Sequence, residues 1–314
     1  MLTRRHIRIK VMQSVYAFSH TEKGKVEEQI LFFEKSLFDG LELLLLQWSL
    51  FQALKQLLEE QKISVQKKYL QQSEQLNPYD ALLNNVYFKF IAEHPLLTEK
   101  VKQYKMKDWD LEFKLIRNLW EDIQQNPAFQ SYCQVSNPKE AKQLEVLVSI
   151  FEHTIAPAEY LHVYYEDRAL TWQDDLPMVN THVLKTLKKI DLTNRQSLSF
   201  PDRSQWKEEL SFGKALLEKV LTQETTLTKE LEGKTPNWEA DRIALVDALI
   251  LKIAIAELLY FPAIPPKVTL NEFLEIAKEY STPKSNTFIN GVLDKLVKEF
   301  TDQNRMNKSG RGLL

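Results

Sequence analysis

Seven glycines in 314 residues are the tightest constraint on what this chain can fold into. Soluble proteins average roughly 7% glycine. Hairpin turns and phosphate-cradling loops both draw on residues that tolerate left-handed backbone. With so few, there is little material for hairpin-built sheets or nucleotide loops, and helices are expected throughout. The apolar spacing points the same way: Ile7, Val11, Val15 and Phe18 recur at a helical period behind Thr3, a natural N-cap.

A hydrophobic content of 44% furnishes a core without staples. The single cysteine, Cys133, excludes an intramolecular disulfide and a thiolate-rich zinc site, which suits a reducing cytoplasm. The charged N-terminus lacks the apolar stretch of a signal peptide. The apolar tract Ile243 to Phe261 carries Asp247, Lys252 and Glu257, each costing roughly 2.5 to 3.5 kcal/mol at a bilayer centre. It is expected to be a buried central helix, with no membrane involved. A net charge of −2 means that any polyanion site must be a local patch.

Along the chain, a helix over about Val26 to Phe38 is expected to precede Asp39-Gly40, followed by a long apolar face from Leu41 through Trp48 and Phe51 towards Ile63. Asn77-Pro78 and Asn137-Pro138 read as helix starts, and Asn126-Pro127 as a stop. Val179, Val183, Leu187 and Ile190 mark a helix over Met178 to Ile190, and the polar, aperiodic Asp191 to Ser204 reads as a linker. Helices follow over about Gln205 to Leu231, Trp238 to Tyr260, Asn271 to Lys278 and Ser285 to Phe300. Thr269 with Glu272 reads as a capping box for the third of these, and Gly291 as a point of close approach by a neighbour. No repeat at a fixed period is present.

Catalytic chemistry finds little support. The six histidines never fall at i, i+4, so no metal site is expected. Glu166-Asp167 and Asp174-Asp175 are adjacent pairs in polar stretches, and Gly213-Lys214-Ala215 lacks the rest of a phosphate loop. No cofactor is expected and no enzyme is indicated. The informative cluster is Thr3 to Lys10, where Arg4, Arg5, Arg8 and Lys10 precede the first acidic residue, Glu22. On a helical wheel Arg5, Ile9, Met12 and Tyr16 form a second stripe beside the apolar one, setting guanidinium groups beside an aromatic ring. Such a surface suits single-stranded RNA, because arginine binds phosphate and stacks while tyrosine offers a platform. A solvated basic helix end would look the same by charge alone.

Two stretches resemble the NusB family. Pro265 to Lys278 followed by Ser285 and Phe288 to Asp294 is similar to that family's P-x-K-V-x-I-N-E-A-x-E-x-A-K and S-x-x-F-V-N-G-V-L-D signature. Asn271-Glu272, Ala277-Lys278 and Asn290 to Asp294 match as they stand. Asp247, Ile250 to Ala254 and Glu257-Leu258 resemble the preceding family helix, with Lys252 in place of arginine. Arg4-Arg5, Arg8, Gln13 and Tyr16 resemble the arginine-rich first helix, with His6 in place of what is often another arginine, and Lys284 departs from a commonly acidic or polar site. The resemblance implies an all-α fold of two helical bundles and a non-enzymatic RNA-binding factor in transcription antitermination. It further implies binding of boxA-type RNA together with NusE, a small-subunit ribosomal protein, in support of ribosomal RNA synthesis. By that likeness Arg4, Arg5, Arg8, Gln13, Tyr16 and Phe288 contact RNA. Two other readings are the RNA-binding portion of an RNA cytosine methyltransferase, which needs a further α/β domain with a cofactor loop, and a purely structural helical adaptor.

The implied organisation is a basic helix and the start of the first bundle over residues 1–38, a family-atypical helical insertion over 39–204, the remaining NusB-like fold over 205–300, and a flexible basic tail over 301–314. The amphipathic segments of 39–204 carry enough apolar surface to fold. Limited proteolysis of the native protein should therefore leave this insertion largely intact; rapid cutting throughout it contradicts that expectation.

Overall fold

The computed structural model describes residues 3–21, 24–66, 77–232, 234 and 243–309. Among them every regular element is helical. The helices are α1 (Arg4–Ser19), α2 (Val26–Gln66), α3 (Pro78–Leu83), α4 (Val86–Ala92), α5 (Pro95–Gln103), α6 (Asp108–Leu111), α7 (Phe113–Gln125) and α8 (Pro127–Cys133). Then come α9 (Glu140–Ile150), α10 (Glu159–Arg168), α11 (Trp172–Leu187), α12 (Lys207–Thr222), α13 (Glu224–Leu231), α14 (Leu245–Tyr260), α15 (Pro266–Tyr280) and α16 (Pro283–Asp302). A π-helical turn, Phe151–Ile155, joins α9 to α10. The chain divides into two units: an inserted one, Phe38–Asp202, and a discontinuous one made of Leu2–Leu37 with Arg203–Leu314.

In the inserted unit the second part of α2 is the spine. Leu43, Leu46, Leu50, Leu54 and Leu58 lie on its buried surface, and so do Leu44, Trp48 and Phe51. A helix covered on this many faces belongs in the middle of a core rather than on its rim. By length and composition α2 passes for a membrane span, yet 78% of its most apolar window is buried inside the protein. One polar network in this core is matched: the Tyr165 hydroxyl donates to Gln47 Oε1, whose amide donates to Asn180 Oδ1 at 2.7 Å. The Trp109 indole donates to Ser49 Oγ at 2.8 Å.

Several boundaries differ from those read in the sequence. Asp39-Gly40 does not break the helix: α2 continues through it, and a Cβ at Gly40 would stand 3.3 Å from the buried Asp175 carboxylate. Close approach, not chain reversal, explains that glycine. Asn126 ends α7 and also starts α8, accepting from the amides of Ala128 and Phe129. Asn77 caps α3 as expected, but α9 begins at Glu140, two residues beyond Asn137-Pro138. The supposed linker is packed, with Leu198 and Phe200 in the inserted unit's core.

The discontinuous unit is built on α1, which packs against α12 and α14, while α14, α15 and α16 pack on one another. The tract Ile243 to Phe261 forms α14 from Leu245, buried along most of its length as expected of a central helix; the expected start at Trp238 lies outside the described residues. α15 starts at Pro266 rather than Asn271, so Thr269 is not a cap but a wholly buried residue inside the helix. α16 has its true cap in Thr282, which accepts from the Ser285 amide. Gly291 faces open space, so no neighbour requires it. Beyond α16, residues 303–309 of the expected tail stay exposed or half-buried but bond back to the fold through Arg305, Lys308 and the Ser309 amide, and 310–314 lie outside the described residues.

Gly213 on α12 is where this unit is tightest. A Cβ there would fall 2.2 Å from Phe33 Cζ and 2.8 Å from Ile7 Cγ2. Both neighbours are completely buried and have no room to yield. Gly213→Ala should accordingly destabilise the protein by roughly 1 to 3 kcal/mol, the usual cost of overpacking a filled core. A urea midpoint equal to or above wild type would contradict this packing.

Candidate functional site

The first two turns of α1 carry the charged cluster, and Thr3 starts the helix by accepting from the His6 amide at 3.2 Å. The cations then diverge. Arg4 is exposed and Arg5 half-exposed, but Arg8 and Lys10 are each only 1% exposed. Ile9 and Met12, expected on the basic stripe, are buried too. α1 is covered on more than one side, so the single apolar stripe of its sequence understates its buried arc.

Arg8 is the centre of the arrangement. Its Nε and Nη2 donate to the two Glu257 carboxylate oxygens at 2.7 and 2.8 Å, and both side chains are essentially inaccessible. The Thr269 hydroxyl donates to the same carboxylate at 2.8 Å, so α1, α14 and α15 meet on one buried group. Among the described residues Arg8 Nη1 has no hydrogen-bond partner, and it lies 3.9 Å from Glu272. Arg8, one of the residues expected to contact RNA, is thus placed inside the fold: burial and a carboxylate from a helix distant in sequence hold its fork. Arg5 makes the same kind of contact nearer the surface, donating to both Glu272 oxygens at 3.1 and 3.2 Å. That bond, more than the surrounding charges of Glu272, Glu275 and Glu279, pushes the Arg5 guanidinium above its ordinary range.

Among the described residues Arg4 meets no carboxylate but an aromatic face. Its guanidinium lies over the Phe212 ring at 4.6 Å from the centroid, and Phe212 meets Phe261 edge to face at 5.5 Å. These residues border an open groove of about 720 Å³ whose walls are Thr3, Arg4, Arg5 and Arg8 on one side and Phe212, Tyr260 and the Phe261–Pro265 loop on the other. Val268 and Glu272 of α15 complete it. The walls are mainly apolar and aromatic with arginine at the mouth, a lining that can take an unstacked base beside a phosphate.

The remaining expected site residues stand apart from this groove. Gln13 is half-buried, and Tyr16 is 45% exposed with its ring 4.5 Å from that of His20. Eleven residues at 1.5 Å rise place Tyr16 roughly 16 Å along α1 from Arg5, on nearly the same face. Phe288 is half-buried on α16, which packs on α14 and α15. Sequence reasoning missed Phe212, Tyr260 and Phe261 as lining, and Glu257 and Glu272 as partners of the arginines. One signal was available: a carboxylate deep in the apolar run of α14, such as Glu257, has to find a cation or hydrogen-bond donors once that helix is buried.

The NusB family model matches residues 179–298, which include α12 to α15 and most of α16. The transcription antitermination protein NusB of Geotalea daltonii is 37% identical over 117 residues, a match covering 37% of this chain and 80% of that protein. The chain belongs to the NusB family. Its NusB relative in Salinibacter ruber is 48% identical over 99 residues, covering 30% of this chain and 62% of the relative. The Chloroherpeton thalassium NusB is 51% identical over 78 residues, covering 25% and 37%. The chain thus spans less than two thirds of the length of these last two relatives. A solved T. maritima NusB structure aligns with a TM-score of 0.30 and 28% identity over 38% of this chain and 82% of that one. The basic α1 lies outside the residues that the NusB family model matches, yet packs on α12 and α14, which lie within them.

The ion pairs make opposite predictions for two neighbouring arginines. Removing one partner of a buried pair strands the other charge and costs about 3 to 5 kcal/mol, whereas partly exposed pairs contribute about 0 to 1 kcal/mol. Arg8→Ala should strongly destabilise the protein and Arg5→Ala should barely do so. Equal urea midpoints for the two variants would refute the assignment of Arg8 as the structural arginine.

Proposed function

We propose that this NusB-family chain is a non-catalytic, RNA-binding transcription antitermination factor that engages boxA-type single-stranded RNA together with NusE in support of ribosomal RNA transcription, in the cytoplasm. The observation that carries the RNA reading is Arg4 over Phe212 at the mouth of the groove, with Arg5 beside it. An arginine on an aromatic ring is already arranged as a stacking surface, and displacing it opens the ring to a base. The names of the relatives support the antitermination role.

Within this reading Arg4 and Arg5 hold phosphate and base at the groove, and Tyr16 offers a second platform further along α1. Gln13 supplies hydrogen bonds between them, and Phe288 belongs to the outer part of the surface. Arg8 acts through position: its bond to Glu257 fixes the first turns of α1. The engagement of Arg5 by Glu272 favours a second reading, a helical adaptor in which the arginines serve packing alone. RNA titration separates the two.

Titration of the protein with boxA-like and scrambled RNA, with and without NusE, should give preferential binding to boxA that NusE strengthens. Arg4→Ala with Arg5→Ala should weaken binding and lower the slope of log affinity against log salt by about 1.4, since each single-strand phosphate contact releases roughly 0.7 counterion. Tyr16→Ala should cost on the order of 1 to 3 kcal/mol of binding and leave that slope nearly unchanged, because stacking releases no counterion. Wild-type affinity and salt dependence in the double arginine variant would leave the adaptor reading standing.

A further inference from the structure

The segment after α16 does not leave the fold. Asn304 adopts a left-handed conformation with φ of 53°, and the Arg305 amide returns to the Phe300 carbonyl at 2.8 Å, reversing the chain. Arg305 then forks onto both Glu230 oxygens at 3.0 and 2.6 Å, with its guanidinium 4.7 Å from the Phe300 ring centroid. Three residues on, Lys308 Nζ donates to the Glu257 and Phe261 carbonyls at 3.2 and 3.0 Å, and the Ser309 amide donates to the Pro262 carbonyl at 2.9 Å.

Those acceptors are not arbitrary. The Glu257 and Phe261 carbonyls lie at the C-terminal end of α14, where the helix dipole favours a cation, and each also accepts one backbone amide, from Phe261 and Ile264 respectively. Phe261 and Pro262 are also the wall of the groove that faces Arg4. That wall is anchored at its ends, where the Phe261 amide donates to the Glu257 carbonyl at 3.2 Å and the Pro265 carbonyl accepts from the Val268 and Thr269 amides; between them the Ile264 amide reaches the Phe261 carbonyl at 3.1 Å, and Pro262 and Pro265 have no amide to donate. The Lys308 amine is enclosed enough that burial, partly countered by Glu257, pulls it down to about 8.

We propose that residues 303–309 form a strap that fixes the Phe261–Pro265 wall, with Lys308 as the positioning residue that holds the groove in shape for a single-stranded RNA. The inference rests on the RNA reading above for its ligand, but not for the strap itself. Lys308 touches no RNA in this account; it acts through the backbone of Phe261 and its neighbour Pro262.

The test uses the full chain with Lys308→Met, Lys308→Arg and a truncation after Gln303. Each is measured by boxA-like RNA affinity, by amide exchange at Ala263 and Ile264, and by circular dichroism. Lys308→Met removes the charge and the donors at similar volume, and should lower affinity on the order of tenfold, the effect of losing a charge-assisted hydrogen bond, while speeding exchange at Ala263 and Ile264. The truncation should reproduce both effects, and Lys308→Arg should restore both, which a general loss of packing would not allow. Unchanged exchange in the Met and truncated variants overturns the strap whatever the RNA result. Faster exchange with wild-type RNA affinity overturns the positioning role. If wild-type protein fails to bind RNA while exchange responds as expected, the RNA reading falls and the strap stands.

Discussion

A guanidinium and a carboxylate taken out of water together recover their desolvation only when their geometry is close to ideal and the remaining lone pairs are matched. Arg8 and Glu257 meet that condition, with two short parallel bonds and Thr269 closing the carboxylate from a third helix. The pair joins residues 249 apart in sequence. Everything else at the candidate site is referred to this point, because it fixes α1 against α14 and α15 at once. It follows that the first turn of α1 has a defined orientation, and that Arg4 and Arg5 emerge beside Phe212 and Glu272 rather than sweeping freely through solvent.

This division of labour among similar residues changes how the basic helix is understood. Four cations close together in sequence suggest one electrostatic patch, yet two of them are enclosed and a third already faces a carboxylate. On the proposed RNA reading, recognition in such a setting depends less on bulk positive potential than on stacking and on which contacts the RNA exchanges for existing ones. An arginine held bidentately by a carboxylate is released only if the incoming phosphate offers equally good geometry, which favours a specific strand path over indiscriminate coating.

The inserted unit has its own reasons to fold. Its core is built on the buried length of α2 and closed by aromatic side chains such as Trp48, Phe51 and Phe88, with matched polar groups at Gln47, Tyr165 and Asn180. It needs no support from the family pattern, whose match begins at residue 179, near its end. The discontinuous unit holds α1 and α12 to α16, so the chain interrupts one fold with another.

The helical character was determined by the sequence alone. Scarce glycine, apolar residues at helical spacing, and caps at Thr3 and Asn77 act locally, and local chemistry is enough to fix them. The family signature in α15 and α16 was legible for the same reason, being a contiguous string. What only the tertiary structure decided is which side of a helix is covered and by what. Helical periodicity finds one apolar stripe, but α1 is covered on several sides, so Arg8 and Lys10, which lie off that stripe, are buried all the same. Asp39-Gly40 read as a break because a glycine required by the nearby Asp175 carboxylate looks the same in sequence as one required by a turn. Thr269 read as a cap because its spacing to Glu272 was right, while its hydroxyl is bonded to Glu257. Pairings such as Arg8 with Glu257 or Lys308 with the end of α14 link distant parts of the chain, and no local pattern encodes them. They are set by packing, which brings a buried charge to its partner only after the helices have met.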